Sequence, residues 1–250
     1  MKRFFITLSY NGKNYCGWQI QPNAISVQQT LQEALSTIMR QKIDVVGAGR
    51  TDSGVHARNM IAHFDWEQDY FDAKELTMKL NRFLPKDIAI HSIKEVKQDA
   101  HARFSALSRT YSYTITQHKD PYLHEYKHRI SFKPDIELMN GLCTILLETD
   151  DFTSFSKLHT DVKTNICNVK QAYWTKTNDG DYVFTIQADR FLRNMVRSIV
   201  GTLLQAGRGQ LDEDGFRQII AAKNRGAAGE AAPAHALFLE KGEEPDEIWS

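Results

Sequence analysis

Phe4, Ile6, Leu8 and Tyr10 recur at every second position, which predicts a half-buried strand at the start of the chain. A loop follows from Asn11-Gly12 to Gln21-Pro22, carrying Tyr15, Gly17 and Trp18. Ser26 then stands as the N-cap of a helix, with Gln29 placed to complete a capping box. Val27, Leu31, Ala34, Leu35 and Ile38 give that helix one apolar face. Ile43, Val45 and Val46 predict a strand running into a glycine-rich loop, and Met60, Ala62 and Phe64 alternate on the strand leaving it. Asp72 and Glu75 open a second helix reaching about Phe83, and Ile88 to Val96 reads as another strand.

The first hundred residues thus run β-α-β-β-α-β, the order of a ferredoxin-like or RRM-like unit. A second half begins after His101-Ala102-Arg103-Phe104. Ser108 to Thr114 is strand-like by its β-branched and aromatic content. Leu138, Leu142, Ile145 and Leu146 mark a helix. Tyr173–Thr177 and Tyr182–Gln187 predict a hairpin closed at Asn178-Asp179-Gly180. Phe191, Met195, Val196, Ile199, Val200, Leu203 and Leu204 predict a strongly buried helix ending at Gly207. The expected fold is α+β, with two ferredoxin-like or RRM-like halves at 1–104 and 105–250. No glycine-serine linker separates them, so they are expected to share a mainly antiparallel sheet and a central cleft.

Composition narrows the class. The 250 residues are 42% hydrophobic and 25% charged, ordinary values for a globular protein. No run of about 18 apolar residues occurs, so no membrane span is expected. The polar residues Thr7, Ser9, Asn11 and Lys13 come too early for a secretory apolar core. Cys16, Cys143 and Cys167 are odd in number and widely spaced, which reads as reduced thiols in a cytoplasmic protein. Net charge is zero, with 31 basic and 31 acidic residues. From Glu240 onward, however, five acids stand against Lys241 alone, and without that tail the body is about +4. Its arginines gather where glycines and aromatics do, the distribution expected of a nucleic-acid binder.

Chemistry concentrates in Gly47-Ala48-Gly49-Arg50-Thr51-Asp52-Ser53-Gly54-Val55-His56-Ala57-Arg58. Glycines let backbone approach a ligand closely, and Arg50 and Arg58 favour a polyanion. Asp52 opposes that attraction. Either it is a turn-former, since Asp-Ser-Gly is a common turn sequence, or its carboxylate acts on a bound nucleic acid. A second constellation places Arg109, Tyr111 and Tyr113 on one strand face, as core packing or as a base-stacking surface. A third sets Arg190, Arg193 and Arg197 on or beside the last apolar helix. Arg193 and Arg197 would share a face, and Arg197 amid apolar neighbours calls for a carboxylate partner. His56, His63 and His101 lack ligand spacing, so no metal site is expected. The glycines match neither the dinucleotide fingerprint nor the P-loop, which disfavours a nucleotide cofactor.

Gly49-Arg50-Thr51-Asp52-Ser53-Gly54-Val55-His56-Ala57 resembles the signature of the TruA-type tRNA pseudouridine synthases. The likeness extends to Gly17-Trp18-Gln19, His101-Ala102-Arg103-Phe104, Arg109-Thr110-Tyr111, Asp151-Phe152, Phe191 to Arg197 and Ala232-Pro233. Asn11, Ala100, Thr149-Asp150 and Ala236 depart from the family pattern. The resemblance implies conversion of uridine to pseudouridine in the anticodon arm of tRNA, at positions 38 to 40, by a cytoplasmic homodimer without cofactor. Asp52 would act at the sugar, Tyr111 would stack on the uracil, and Arg197 would keep Asp52 ionised. Arg50, Arg58, Arg109 and His56 would contact substrate. One carboxylate suffices because departing uracil delocalises its charge, unlike the sugar alkoxide that obliges glycosidases to use two. Two rivals remain open: a non-catalytic RRM-like RNA-binding protein, and a synthase that acts on other uridines.

Overall fold

In a computed structural model describing residues 1–67, 72–157 and 164–249, the opening alternation becomes β1, Lys2–Tyr10. Phe4, Ile6, Leu8 and Tyr10 are buried as expected, but so is Phe5, which makes β1 covered on both faces. Phe5 packs with Ala48, Ile61, Val96, Ala100, Ala102 and Ile248. The residues that cover this second face come from far along the chain, beyond the reach of a local period.

The helix α1 spans Val27–Met39, with Ser26 Oγ accepting from Gln29 N–H at 3.2 Å. Only that half of the capping box forms, because the Gln29 side chain donates to Glu33 instead (2.9 Å). Val27, Leu31, Ala34 and Leu35 are buried, and Ile38 is half-buried. The strand expected at Ile43–Val46 shrinks to β2, Val46–Gly47. Ile43 N–H donates to Ser36 Oγ, and Val45 N–H to Gln32 Oε1. Side chains of α1 therefore take the backbone bonds that a neighbouring strand would have supplied. β3 spans His56–Trp66, α2 Ala73–Phe83 with Asp72 as its cap, and β4 Ile88–Val96.

The second half contains β5 (Ser108–Thr116), β6 (His128–Arg129), α3 (Ile136–Leu147), β7 (Val169–Lys176) and β8 (Tyr182–Ala188). β7 and β8 form the expected antiparallel hairpin, turned at Gly180 with φ +85°. α4 spans Met195–Gly207, starting four residues later than its apolar pattern. Asn194 at φ +67° stops it there, so Arg193 lies outside the helix and shares no face with Arg197. α5 (Glu213–Ala221) and β9 (Leu237–Glu243) complete the set.

The chain divides into two compact units, Met1–Arg109 with Phe238–Ser250, and Thr110–Leu237. In the first, strands run in the order β4-β1-β3-β9, with β2 also on β3. β1 is antiparallel to both neighbours, whereas β9 is parallel to β3, with His56 opposite Phe238 and Ala57 opposite Leu239. In the second, the order is β5-β8-β7, with β6 parallel to β5, and α3 packs on β7 and α4. The fold is α+β. Among the described residues no helix is long and apolar enough to cross a membrane.

Candidate active site

The glycine-rich loop of the first unit is fixed on both sides of Asp52. Tyr10 OH lies 2.8 Å from Thr51 Oγ1, and Trp18 N–H donates to Thr51 O at 3.3 Å. Beyond Asp52, Ser53 Oγ and Gly54 N–H both donate to Tyr15 O at 3.3 Å. Val55 N–H closes a turn onto Asp52 O at 3.1 Å, with Gly54 at φ +79° in the position where a left-handed residue belongs. The turn-forming reading of Asp-Ser-Gly is therefore correct, and it is compatible with a chemical role for the carboxylate. Asp52 itself is half-exposed.

The loop before the first helix supplies this support because its glycines permit contact. A Cβ on Gly17, which sits at φ +83°, would lie 2.2 Å from Thr51 O. One on Gly12 would lie 2.0 Å from Val55 O. Tyr15 is anchored in turn by its hydroxyl, which donates to Asp87 Oδ1 at 2.7 Å; burial and this bond raise the phenol well above its usual range. The Gly12 to Trp18 segment is thus the mould in which the Asp52 turn is cast.

Arg50 is exposed on the same loop. Arg58 is exposed on β3, where it lies 4.6 Å over the Phe238 ring and donates to Glu240 at 3.3 Å. His56 is only 1% exposed; its Nδ1 accepts from Gly12 N–H at 3.1 Å and its ring stacks on Phe238 at 4.6 Å. Its place is underneath the loop. Arg109 is half-buried and donates to Ala106 O (3.3 Å), Ala48 O (2.9 Å) and Arg103 O (2.5 Å). It braces the root of the loop from the backbone side.

The second unit holds Tyr111 and Arg197. Tyr111 is half-buried, with its ring edge-on to Phe191 at 5.1 Å. Tyr113 on the same strand is fully buried and donates to Pro233 O at 3.0 Å. Burial pushes its phenol up, partly offset by the charge of Arg197. Arg197 is half-buried on α4; its Nε donates to Ala232 O at 2.7 Å while its own carbonyl accepts from Ala232 N–H at 2.9 Å. Gly229 N–H adds a bond to Thr202 Oγ1 (3.0 Å). At Gly201 a Cβ would lie 1.8 Å from Glu230 O. The Gly229 to Pro233 segment is therefore laid directly on α4 and aims the Arg197 side chain.

That supporting segment, and the pairing of Arg58 and His56 with Phe238 and Glu240, went unnoticed in the sequence. Gly201 inside a strongly apolar helix was the available signal, because a glycine there costs helix stability unless something packs against it. Of the expected site residues, Arg50, Asp52, His56, Arg58 and Arg109 belong to the first unit, and Tyr111 and Arg197 to the second. Among the described residues no group of three His, Cys, Asp or Glu side chains is arranged to hold a metal ion.

The residues that build the Asp52 loop and the Arg197 support fall within a match to a family model described as tRNA pseudouridine synthase, covering residues 6–105 and 143–243. The chain is 57% identical over 249 residues to a tRNA pseudouridine synthase A of Parabacteroides distasonis, covering 100% of this chain and 98% of that one. It is 55% identical over 249 residues to the protein of that name from Bacteroides fragilis, covering 100% and 99%. With the tRNA pseudouridine synthase A of Bacillus licheniformis it shares 39% identity over 241 residues, covering 95% and 97%. On this evidence the chain belongs to the tRNA pseudouridine synthase family.

Proposed function

We propose that this protein isomerises uridine to pseudouridine in the anticodon arm of tRNA, at positions 38 to 40, with Asp52 as the catalytic carboxylate. The observation that carries the reading is the fixing of the Asp52 turn through Thr51, Ser53, Gly54 and Val55, while Asp52 itself stays half-exposed. A turn needed only to reverse the chain has no use for so many constraints on one residue. Catalysis does, because a small misplacement of a reacting group is costly in rate. The reaction breaks the C1′–N1 bond, turns the uracil and rejoins it through C5, so the formula of the RNA is unchanged. Asp52 acts at the sugar, and Tyr111 stacks on the uracil and assists loss of the C5 proton. Arg197, aimed by the Gly229 to Pro233 segment, contributes its guanidinium to the same reaction. Arg50 and Arg58 meet phosphates, and His56 and Arg109 keep the loop in place beneath them. The protein works in the cytoplasm as a homodimer and draws on no cofactor.

The test is pseudouridine mapping of tRNA from cells lacking the protein, complemented with wild type or with Asp52→Asn. Wild type restores the modification at positions 38 to 40. Asp52→Asn, which keeps the shape and removes the charge, loses at least about 10³ in turnover and retains tRNA binding. Activity of the variant within tenfold of wild type defeats the assignment of Asp52. Modification at other uridines defeats the choice of position. Binding without any product marks an RNA-binding module.

A further inference from the structure

Outside the Asp52 loop, the turn from His101 to Ser105 is bonded at most of its backbone groups. His101 N–H donates to Ser105 Oγ (2.9 Å) and Ser105 N–H returns to His101 O (2.8 Å). Ala102 N–H donates to Nδ1 of the buried His63 (3.2 Å). Arg103 and Phe104 N–H converge on His101 Nδ1 at 3.1 and 3.4 Å. Arg3, gripped by Asp65 at 2.8 and 2.9 Å, donates to Ala100 O (2.9 Å) just before the turn. The two histidines accept these bonds only while Nδ1 carries no proton. Burial first, then the nearby Arg3 charge, pushes His63 down to about 4 and lowers His101, which keeps both neutral.

This turn displays Phe104, which is 76% exposed. Its ring meets His101 at 4.4 Å, and the Arg103 guanidinium lies 5.6 Å from its centre. A scattered apolar residue on a surface is ordinary; a large ring held out by a turn bonded at most of its backbone groups, beside a cation, is a built feature. Its location is equally defined. Arg109 Nη2 bonds both Arg103 O at 2.5 Å and Ala48 O at 2.9 Å, and Ala48 stands four residues before Asp52. A single guanidinium therefore registers the turn against the root of the Asp52 loop.

We propose that Phe104, with Arg103 beside it, is a stacking platform for an unpaired base of the RNA substrate, set at a fixed distance from the Asp52 loop by the Arg109 brace. The proposal rests on the tRNA reading above. Every base offers a π-face to an aromatic ring, and the arginine adds attraction for the phosphate backbone. Loss of one such stack weakens binding roughly tenfold or more.

The test measures binding of an unmodified tRNA transcript to wild type, Phe104→Ala and Phe104→Tyr, with pseudouridine formation and sedimentation recorded for each. Phe104→Ala is expected to raise Kd and KM about tenfold or more, with kcat within about threefold of wild type. Phe104→Tyr keeps the π-face and binds like wild type. The thermal midpoint of both variants stays near that of wild type, because the ring is exposed. A Kd for Phe104→Ala within twofold of wild type overturns the platform, and so does a change in sedimentation that accounts for the lost affinity, since Phe104 would then contact a second copy of the chain. Wild type that binds the transcript without forming pseudouridine defeats the proposed function and leaves the platform standing. Wild type that forms pseudouridine alongside an unaffected Phe104→Ala does the reverse.

Discussion

Gly17 bears on the position of Asp52 through its close approach to the Thr51 backbone. Its φ of +83° suits glycine alone, and a Cβ would enter the Thr51 carbonyl at 2.2 Å. Gly17→Ala must strain its own backbone and displace the residue before Asp52. We expect a loss of more than about 1 kcal/mol in stability and a fall of at least tenfold in kcat/KM, read from urea unfolding and steady-state rates. A fully active variant would show that the mould does not govern the loop. At this scale the sequence was informative about chemistry and silent about support. Asp52 stood out because a carboxylate in a loop whose arginines would attract a polyanion works against that attraction. The tyrosine hydroxyl on Thr51 and the paired bonds to Tyr15 O did not stand out, because partners so distant along the chain leave no local pattern.

Helices and strands were legible where their own residues decide them. β4 matches its expected span, and Asp72 caps α2 as read, because period and cap are properties of a few neighbouring residues. Legibility failed where another element intervened. β2 shortened because glutamine and serine side chains of α1 captured the backbone at Ile43 and Val45, and α4 started late because Asn194 turned left-handed. The same chemical change in two helices should therefore have opposite signs. Gly141 in α3 is exposed with nothing within 4 Å of an added Cβ, so Gly141→Ala is expected to stabilise by about 0.5–1 kcal/mol through helix propensity. Gly201 in α4 meets Glu230 O at 1.8 Å, so Gly201→Ala must push away the segment that aims Arg197. It should lower the denaturation midpoint and reduce turnover together. Chemical denaturation of the two variants side by side decides the matter, and equal shifts of one sign would refute it.

Across the whole molecule, buried histidines link the fold to pH. His63 is held at about 4 against an ordinary 6.5, so the folded state favours its neutral form. Its contribution is complete above pH 6.5 and is lost as the pH falls from there to about 4, by up to about 3 kcal/mol. Glu244, with both oxygens buried and its carboxyl pushed up to about 7 by burial, acts with the opposite sign in part of that window. The His63 share is therefore read as the difference between wild type and His63→Gln, whose amide oxygen still accepts from Ala102 N–H. Wild type should lose more stability than the variant between pH 7 and pH 4.5 in urea titrations; parallel slopes would remove His63 from the account. The strand β9 carries a consequence of another kind. Phe238 lies opposite His56, and Ile248 and Trp249 close over Phe5, so the unit bearing Asp52 is assembled from both ends of the sequence. During synthesis the ribosome delivers the Asp52 loop early and its covering strand only after residue 237. Until then Phe5 lacks Ile248 and Trp249 and His56 lacks Phe238, and contacts of such long separation form slowly. A chain stopped short of β9 would hold every residue assigned to the chemistry and still lack the body that positions them, so a broken message yields no half-working modifier of tRNA.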